Sequence, residues 1–246
     1  MPKLVVEHIS KSFEYKKILN DLSFYVEKNE IVSIVGPSGV GKSTLFNIIA
    51  GLLVPSQGEV YLDGKSILNK PGNVSYMLQK DLLLPYKTIE QNVALPLLLK
   101  GCHQKQALIR ANELLKEFGF EAVNKSYPDE LSGGMRQRIA LLRTYLFSDN
   151  LILLDEPFSA LDTFTKAEIQ SWYLKVHRSL GLTTLFITHD IDEAIKLSNR
   201  VYVLKGSQVN SLASVEIKSD FKRIDKFLLS REFLNYKKEI IASLNK

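Results

Sequence analysis

Residues 31–45 read IVSIVGPSGVGKSTL. An unbroken apolar run stops at Gly36, a glycine-rich stretch follows, and TLFNIIAGLL (44–53) then places apolar residues at helical spacing, closing at Gly51. The order predicted is strand, loop, helix. An apolar run without alternation belongs to a strand covered on both faces, as in a parallel sheet. Gly36 to Ser43 fits G-x-x-x-x-G-K-[ST]. Such glycines let backbone N–H groups curl around phosphate oxygens, and the next helix aims the positive end of its dipole at the same anion. Gly36, Pro37, Ser38, Gly39, Val40 and Gly41 are the candidate cradle. Lys42 supplies a mobile charge for the β and γ phosphates, Ser43 a hydroxyl for Mg²⁺, and Thr44 faces the same side.

Working outward, KLVVEHI (3–9) and DLSFYVE (21–27) alternate apolar with polar residues and predict antiparallel strands with one wet face. GEVYLDGKSI (58–67) predicts a strand with a turn at Asp63-Gly64. From about 88 to 148 the pattern is helical: TIEQNVALPLLLKG, QALIRANELLKEFGF and SGGMRQRIALLRTYLF. Strand patterning returns at NLILLDEP, TTLFITHD and RVYVLKG, with helices between. The last thirty or so residues have apolar positions three and four apart and predict one or two amphipathic helices.

Composition narrows the function classes. Hydrophobic residues make up 45% of 246, which excludes global disorder. No apolar run approaches the roughly 20 residues that cross a bilayer, and the first residues, MPKLVVEHISKSF, lack the apolar stretch of a signal peptide. A cytosolic protein is expected. The single cysteine, Cys102, excludes an internal disulfide or a cysteine-cluster metal site. The net charge is +5, with eight Lys and Arg against five Asp and Glu from Glu216 onward. That segment lacks the aromatic-interleaved pattern of a nucleic-acid binder and reads as a solvated helix face.

Two further motifs concern phosphate. LILLD ends at Asp155, followed by Glu156. A carboxylate at the C-terminal edge of a sheet can hold Mg²⁺ through water, and a second beside it can polarise attacking water. LSGGM (131–135), ninety positions beyond Lys42, sets Ser132, Gly133 and Gly134 ahead of a helix, a second anion-reading loop.

GPSGVGKST, LSGGM, LILLDEP, SALD and THD, in this order and spacing, resemble the ATP-binding-cassette (ABC) ATPases over nearly the whole chain to about residue 215. The resemblance implies an α/β fold: a P-loop NTPase (RecA-like) core, an N-terminal antiparallel β subdomain, an inserted helical signature subdomain (about 88–148) and a short helical tail (216–246). It implies two copies stacked head to tail, so that Ser132, Gly133 and Gly134 meet the γ-phosphate of ATP held by the other copy. It further implies that Gln79 touches Mg²⁺ and the attacking water, that His189 contacts the γ-phosphate, and that Asp162 lies in the loop coupling the two sites. Glu156 assists water attack, Ser43, Gln79 and Asp155 serve Mg²⁺, and Phe13 stacks on adenine with Tyr15 as the fallback. Met135 stands where the family's signature commonly has glutamine.

LLLPYKTIEQNVALPLLLKG (82–101) resembles the cassettes of nitrate, sulfonate, taurine and thiamine-precursor importers, with Tyr86 in place of their usual tryptophan. This implies membrane permease subunits as partners, a solute-binding protein further out, and a peripheral position on the cytoplasmic face of the membrane. An exporter cassette and a non-transport ABC ATPase stay open as alternatives.

Overall fold

The computed structural model describes residues 1–148, 151–159, 161–205, 212–218 and 227–245. The N-terminal alternation becomes a hairpin, β1 (Leu4–Phe13) and β2 (Lys16–Val26). After β3 (Ile31–Val35) and α1 (Lys42–Ile49), β4 (Gln57–Leu62) pairs antiparallel with β1, and β5 (Lys65–Ser66) returns through Asp63-Gly64. Both turn residues have positive φ, 48° and 73°, as a tight hairpin matching strand twist requires. These strands form one sheet in the order β2-β1-β4-β5.

The second sheet has six strands. β6 (Ser75–Met77), β7 (Ile152–Asp155), β8 (Thr184–Thr188), β9 (Arg200–Leu204) and β10 (Leu212–Glu216) join β3 in the order β10-β9-β3-β8-β7-β6. All pairings are parallel except that of β10 with β9. The period of two explains the continuous apolar runs. Val32, Ile34, Leu153, Leu185 and Ile187 enter a core shared with α1 and the antiparallel sheet. Ile31, Ile152, Leu154 and Phe186 point the other way, into a helical core. That core is built by α2 (Ile89–Leu99), α3 (Gln104–Glu117), α4 (Gly133–Phe147) and α5 (Thr163–Leu180).

Beyond the central sheet, α6 (Ile191–Leu197) and α7 (Arg231–Asn245) enclose a third cluster, in which Phe233 and Ile240 meet Ala194, Ile195, Val201 and Val203. Two strands escape the sequence reading. β6 is only three residues long, and β10 lies on the sheet edge with half its residues wet, so neither presents an apolar run. Among the described residues after RVYVLKG, a strand, β10, therefore comes before any helix. Residues 149–150, 160, 206–211, 219–226 and 246 lie outside the described residues, and with them the first part of the expected tail helix, Ala160 of SALD, and the ends of two strand segments.

Strand register places the motifs. Val35 lies opposite Thr188, and Asp155 opposite Ile187. The neighbours β3, β8, β7 and β6 thus release Gly36, His189, Glu156 and the Gln79 segment at one sheet edge, the carboxyl end, where open α/β sheets bind their ligands.

Candidate active site

Backbone fit explains the first glycine loop. A Cβ at Gly36 would lie 2.5 Å from the Leu204 carbonyl oxygen, so no larger residue fits against β9. Gly41, at φ 106°, is the N-cap of α1, and its Cβ would meet Leu19 Cδ2 at 2.8 Å. Lys42 is buried, with Nζ donating to the carbonyls of Gly36 at 2.8 Å and Pro37 at 2.9 Å. Burial lowers the Lys42 pKa, opposed by the nearby carboxylates of Glu156 and Asp155. A cleft of about 320 Å³ is lined by Phe13, Ser38, Lys42, Ser43, Thr44 and Glu156, among others. Phe13 thus lies beside the loop, with Lys11 Nζ 5.0 Å from its ring centroid. Tyr15 is fully exposed and takes no part in the lining.

Glu156 lines this cleft, and Asp155 precedes it at the end of β7. Burial pushes the Asp155 carboxyl above its usual range; a hydrogen bond from Ser43 pulls it back, and the Glu156 charge pushes it up again. The Tyr76 hydroxyl donates to Asp155 Oδ2 at 3.4 Å. Glu156 is held in the left-handed region, φ 47°, while its N–H donates to the Ile187 carbonyl at 3.0 Å. A non-glycine residue in this region costs on the order of 1 kcal/mol and marks a constrained site. The Glu156 carboxylate comes 3.2 Å from His189 Nδ1. Gln79 Nε2 donates to Ser159 Oγ at 3.1 Å, and Ser159 Oγ donates to the Glu156 carbonyl at 3.0 Å. Lys42, Ser43, Asp155, Glu156, His189 and Gln79 therefore form one connected group. Ser43 and Asp155 together offer the hard oxygen donors that suit Mg²⁺, an ion that takes most of its remaining ligands from phosphates and water.

The second glycine loop has a different physical basis. Ser132 caps α4, its hydroxyl accepting from Met135 N–H at 3.3 Å. A Cβ at Gly134 would lie 2.7 Å from Thr165 Cγ2, so this glycine lets α4 approach α5. Gly133 is exposed, and the nearest atom to its would-be Cβ is Arg136 Nη2 at 3.8 Å. Met135 is half-buried and packs on the helical core, an apolar task that a thioether meets well. No residue of Leu131–Met135 lines the Lys42 cleft. Asp162 caps α5, accepting from Phe164 and Thr165 N–H at 3.1 Å each. Hydrogen bonds from Thr165 hold its carboxyl below the usual range.

Comparison with known proteins agrees with this arrangement. The family model "ABC transporter" matches residues 19–159. The chain is 41% identical to the formylaminopyrimidine import ATP-binding protein ThiZ of Halalkalibacterium halodurans, over 89% of this chain and 86% of that one. It is 42% identical to the aliphatic sulfonates import ATP-binding protein SsuB of Bacillus cereus, over 81% and 78%. Among solved structures it is similar to the dimeric ATP-binding cassette MJ0796 in a post-hydrolysis state bound to ADP and Pi: 30% identity, TM-score 0.73, covering 88% of this chain and all of that one. The protein belongs to the ABC transporter family. It is an ATPase cassette.

Within this ABC cassette, several contacts were not legible as motifs. Ser159 joins Gln79 to Glu156, and Tyr76 reaches Asp155. Gln137, buried on α4, donates to the Pro157 carbonyl at 2.5 Å and so ties the signature helix to the turn after Glu156. Asn92 is fully buried; its side chain accepts from Leu84 N–H at 2.7 Å and donates to the carbonyls of Leu84, Lys87 and Thr88. That clamp holds the LLPYKT segment as a fixed loop, with Leu82 and Tyr86 facing outward. A single side chain acting through space leaves no periodic trace in sequence.

Proposed function

We propose that this cassette is the ATP-hydrolysing motor subunit of an importer for a small organic or inorganic anion or a pyrimidine-like solute. Two copies bind two MgATP head to tail. The observation that carries this reading is the separation of the two glycine loops: the Lys42 cleft contains no signature residue, while Ser132 and Gly133 lie exposed at the start of α4. An exposed helix N-terminus contributes roughly 0.3–2 kcal/mol toward an anion, too little to hold ATP alone but enough to report a third phosphate presented by another copy.

In this reading, the Gly36–Thr44 loop cradles the phosphates and Lys42 leaves its carbonyl partners for the β and γ oxygens. Ser43, Asp155 and Gln79 would hold Mg²⁺, which would supply neutralisation of phosphate charge. Glu156 takes the proton of the attacking water, and its strained backbone fixes the carboxylate beside His189. His189 uses Nδ1 toward Glu156 and keeps Nε2 for the γ-phosphate. Ser132, Gly133 and Gly134 act on the other copy's nucleotide, Asp162 shapes the crossing loop, and Phe13 stacks on adenine. Residues 1–215 act as the cassette and 216–246 as its tail, of which α7 (Arg231–Asn245) packs on α6 and the central sheet.

The membrane subunits would dock at the surface running from Gln79 to Asn92. There a cleft of about 400 Å³ is lined by Leu52, Tyr76, Leu82, Leu99, Arg143 and their neighbours. Leu52, Leu82 and Leu99 are all more than half exposed, an apolar patch suited to a short helix of a permease. A solute-binding protein would act on the far side of those subunits. Among the described residues no helix is long and apolar enough to cross a membrane, so the cassette would sit peripherally on the cytoplasmic face through this contact. Glu156→Gln is expected to retain ATP binding and to lose about 10²–10⁴ in turnover. Turnover within about threefold of the unsubstituted protein would remove Glu156 from the role of base.

A further inference from the structure

A partly buried charge cluster outside the phosphate cleft includes Asp190, the neighbour of His189. Lys166, on the first turns of α5, lies 2.7 Å from Asp190 Oδ2 and 2.8 Å from Glu193 Oε2. Glu193 is almost wholly buried, and Gln170 Nε2 approaches the same oxygen at 3.4 Å. Desolvation raises the Glu193 carboxyl while Lys166 draws it back. Asp190 does three things at once. Its carboxylate takes Lys166, its other oxygen caps α6 by accepting from Glu193 N–H at 3.1 Å, and its own N–H donates to Thr188 Oγ1 at 3.0 Å. His189 sits between Thr188 and Asp190, with both neighbours pinned. The far end of the tie is also defined, because Lys166 N–H donates to the Asp162 carbonyl at 2.8 Å.

We propose that Lys166 is a positioning residue for His189. From α5 it fixes the Thr188–Asp190 turn so that the imidazole stays at the Glu156 carboxylate. It also links the placement of His189 to the Asp162 turn one helical turn away. Two charge-assisted contacts to one ammonium hold that geometry more tightly than the backbone bonds of a seven-residue helix would alone. The inference rests on the reading of His189 as a γ-phosphate contact.

The test is ATP hydrolysis by the full chain carrying Lys166→Met, which keeps the length of the stem and removes the charge. The expected result is a fall in kcat of about 10- to 100-fold, as for loss of a group that orients a reacting one, with KM for ATP within about twofold. Lys166→Arg should recover most of the loss, because it restores both contacts. In a double variant with His189→Ala, Lys166→Met should lower kcat no further than His189→Ala does. Asp190→Asn provides a milder second route: asparagine caps a helix as well as aspartate does but loses the ion pair, so kcat should fall with the fold retained.

Wild-type kcat in either Lys166→Met or Asp190→Asn would overturn the proposal. So would losses that multiply in the double variant, which would make Lys166 a stability residue independent of His189. Full turnover in His189→Ala alone would instead remove the reading of His189 itself, whatever Lys166 does.

Discussion

The two glycine loops look alike in sequence and differ in construction. The loop at Gly36–Ser43 is complete within one chain. Gly36 is demanded by the backbone of β9 and Gly41 by the side chains of β2, its lysine is buried, and a cleft stands in front of it. The loop at Ser132–Gly134 stands apart from that cleft. Its serine caps a helix, one glycine serves packing against α5, the other faces outward, and none of the three lines the Lys42 cleft. In the proposed reading the first binds ATP and the second completes a site that another copy presents. Small residues in both loops thus answer to different neighbours, which spacing alone does not reveal.

The sharpest way to break this comparison is to substitute the two signature glycines separately. Gly134→Ala drives a methyl into Thr165, and overpacking of this kind costs about 1–3 kcal/mol against a helix-propensity gain of about 1. It should lower thermal stability, displace the N-terminus of α4 and reduce turnover by about 10²-fold. Gly133→Ala has room, so its melting midpoint should stay with the parent while its turnover falls. Equal destabilisation by both, seen in parallel thermal melts, would erase the distinction drawn between them.

A smaller effect is expected at the other end of α5, the helix on which Gly134 leans. His177 is buried there with Nε2 unpartnered, and burial lowers its pKa from 6.5 to about 4. The folded state therefore resists a proton that the unfolded chain accepts. Its contribution to stability is flat above pH 6.5 and falls as pH drops from 6.5 toward 4, by about 2 kcal/mol at pH 5. Urea unfolding at pH 7.5 and pH 5 should show that loss, and His177→Gln should lack this part of it. An identical pH dependence in the two proteins would contradict the burial argument.

The smallest effect concerns the base-stacking aromatic. Phe13→Ala should raise KM for ATP by about tenfold, the scale of one lost base stack, while Tyr15→Ala should leave it unchanged. The reverse pattern would move adenine to the hairpin tip.

How much was legible depended on whether a residue acts through its chain neighbours or across space. EIVSIVG and LILLD announced buried strands because both faces of the sheet are covered, and GPSGVGKST announced its loop because sterics there admit few alternatives. β10 was invisible because an edge strand needs no apolar face on its outer side, and β6 because three residues make no pattern. In the site, Lys42, Ser43, Asp155 and Glu156 could be proposed from spacing, and Gln79, His189, Asp162 and Phe13 only through the family resemblance. Ser159, Tyr76, Gln137 and Lys166 could not, since each matters through contacts to a distant segment. Gly134 was read as an anion-facing residue, and the structure adds a packing reason for it that spacing did not show.

The central claim is that the exposed signature loop reads a phosphate held by another copy. The most direct measurement is the mass in solution of Glu156→Gln with MgATP, with ADP and with no nucleotide. A dimer with MgATP and monomers in the other two conditions is the predicted result. A monomer in all three, with ATP binding shown separately on the same protein, would contradict the claim.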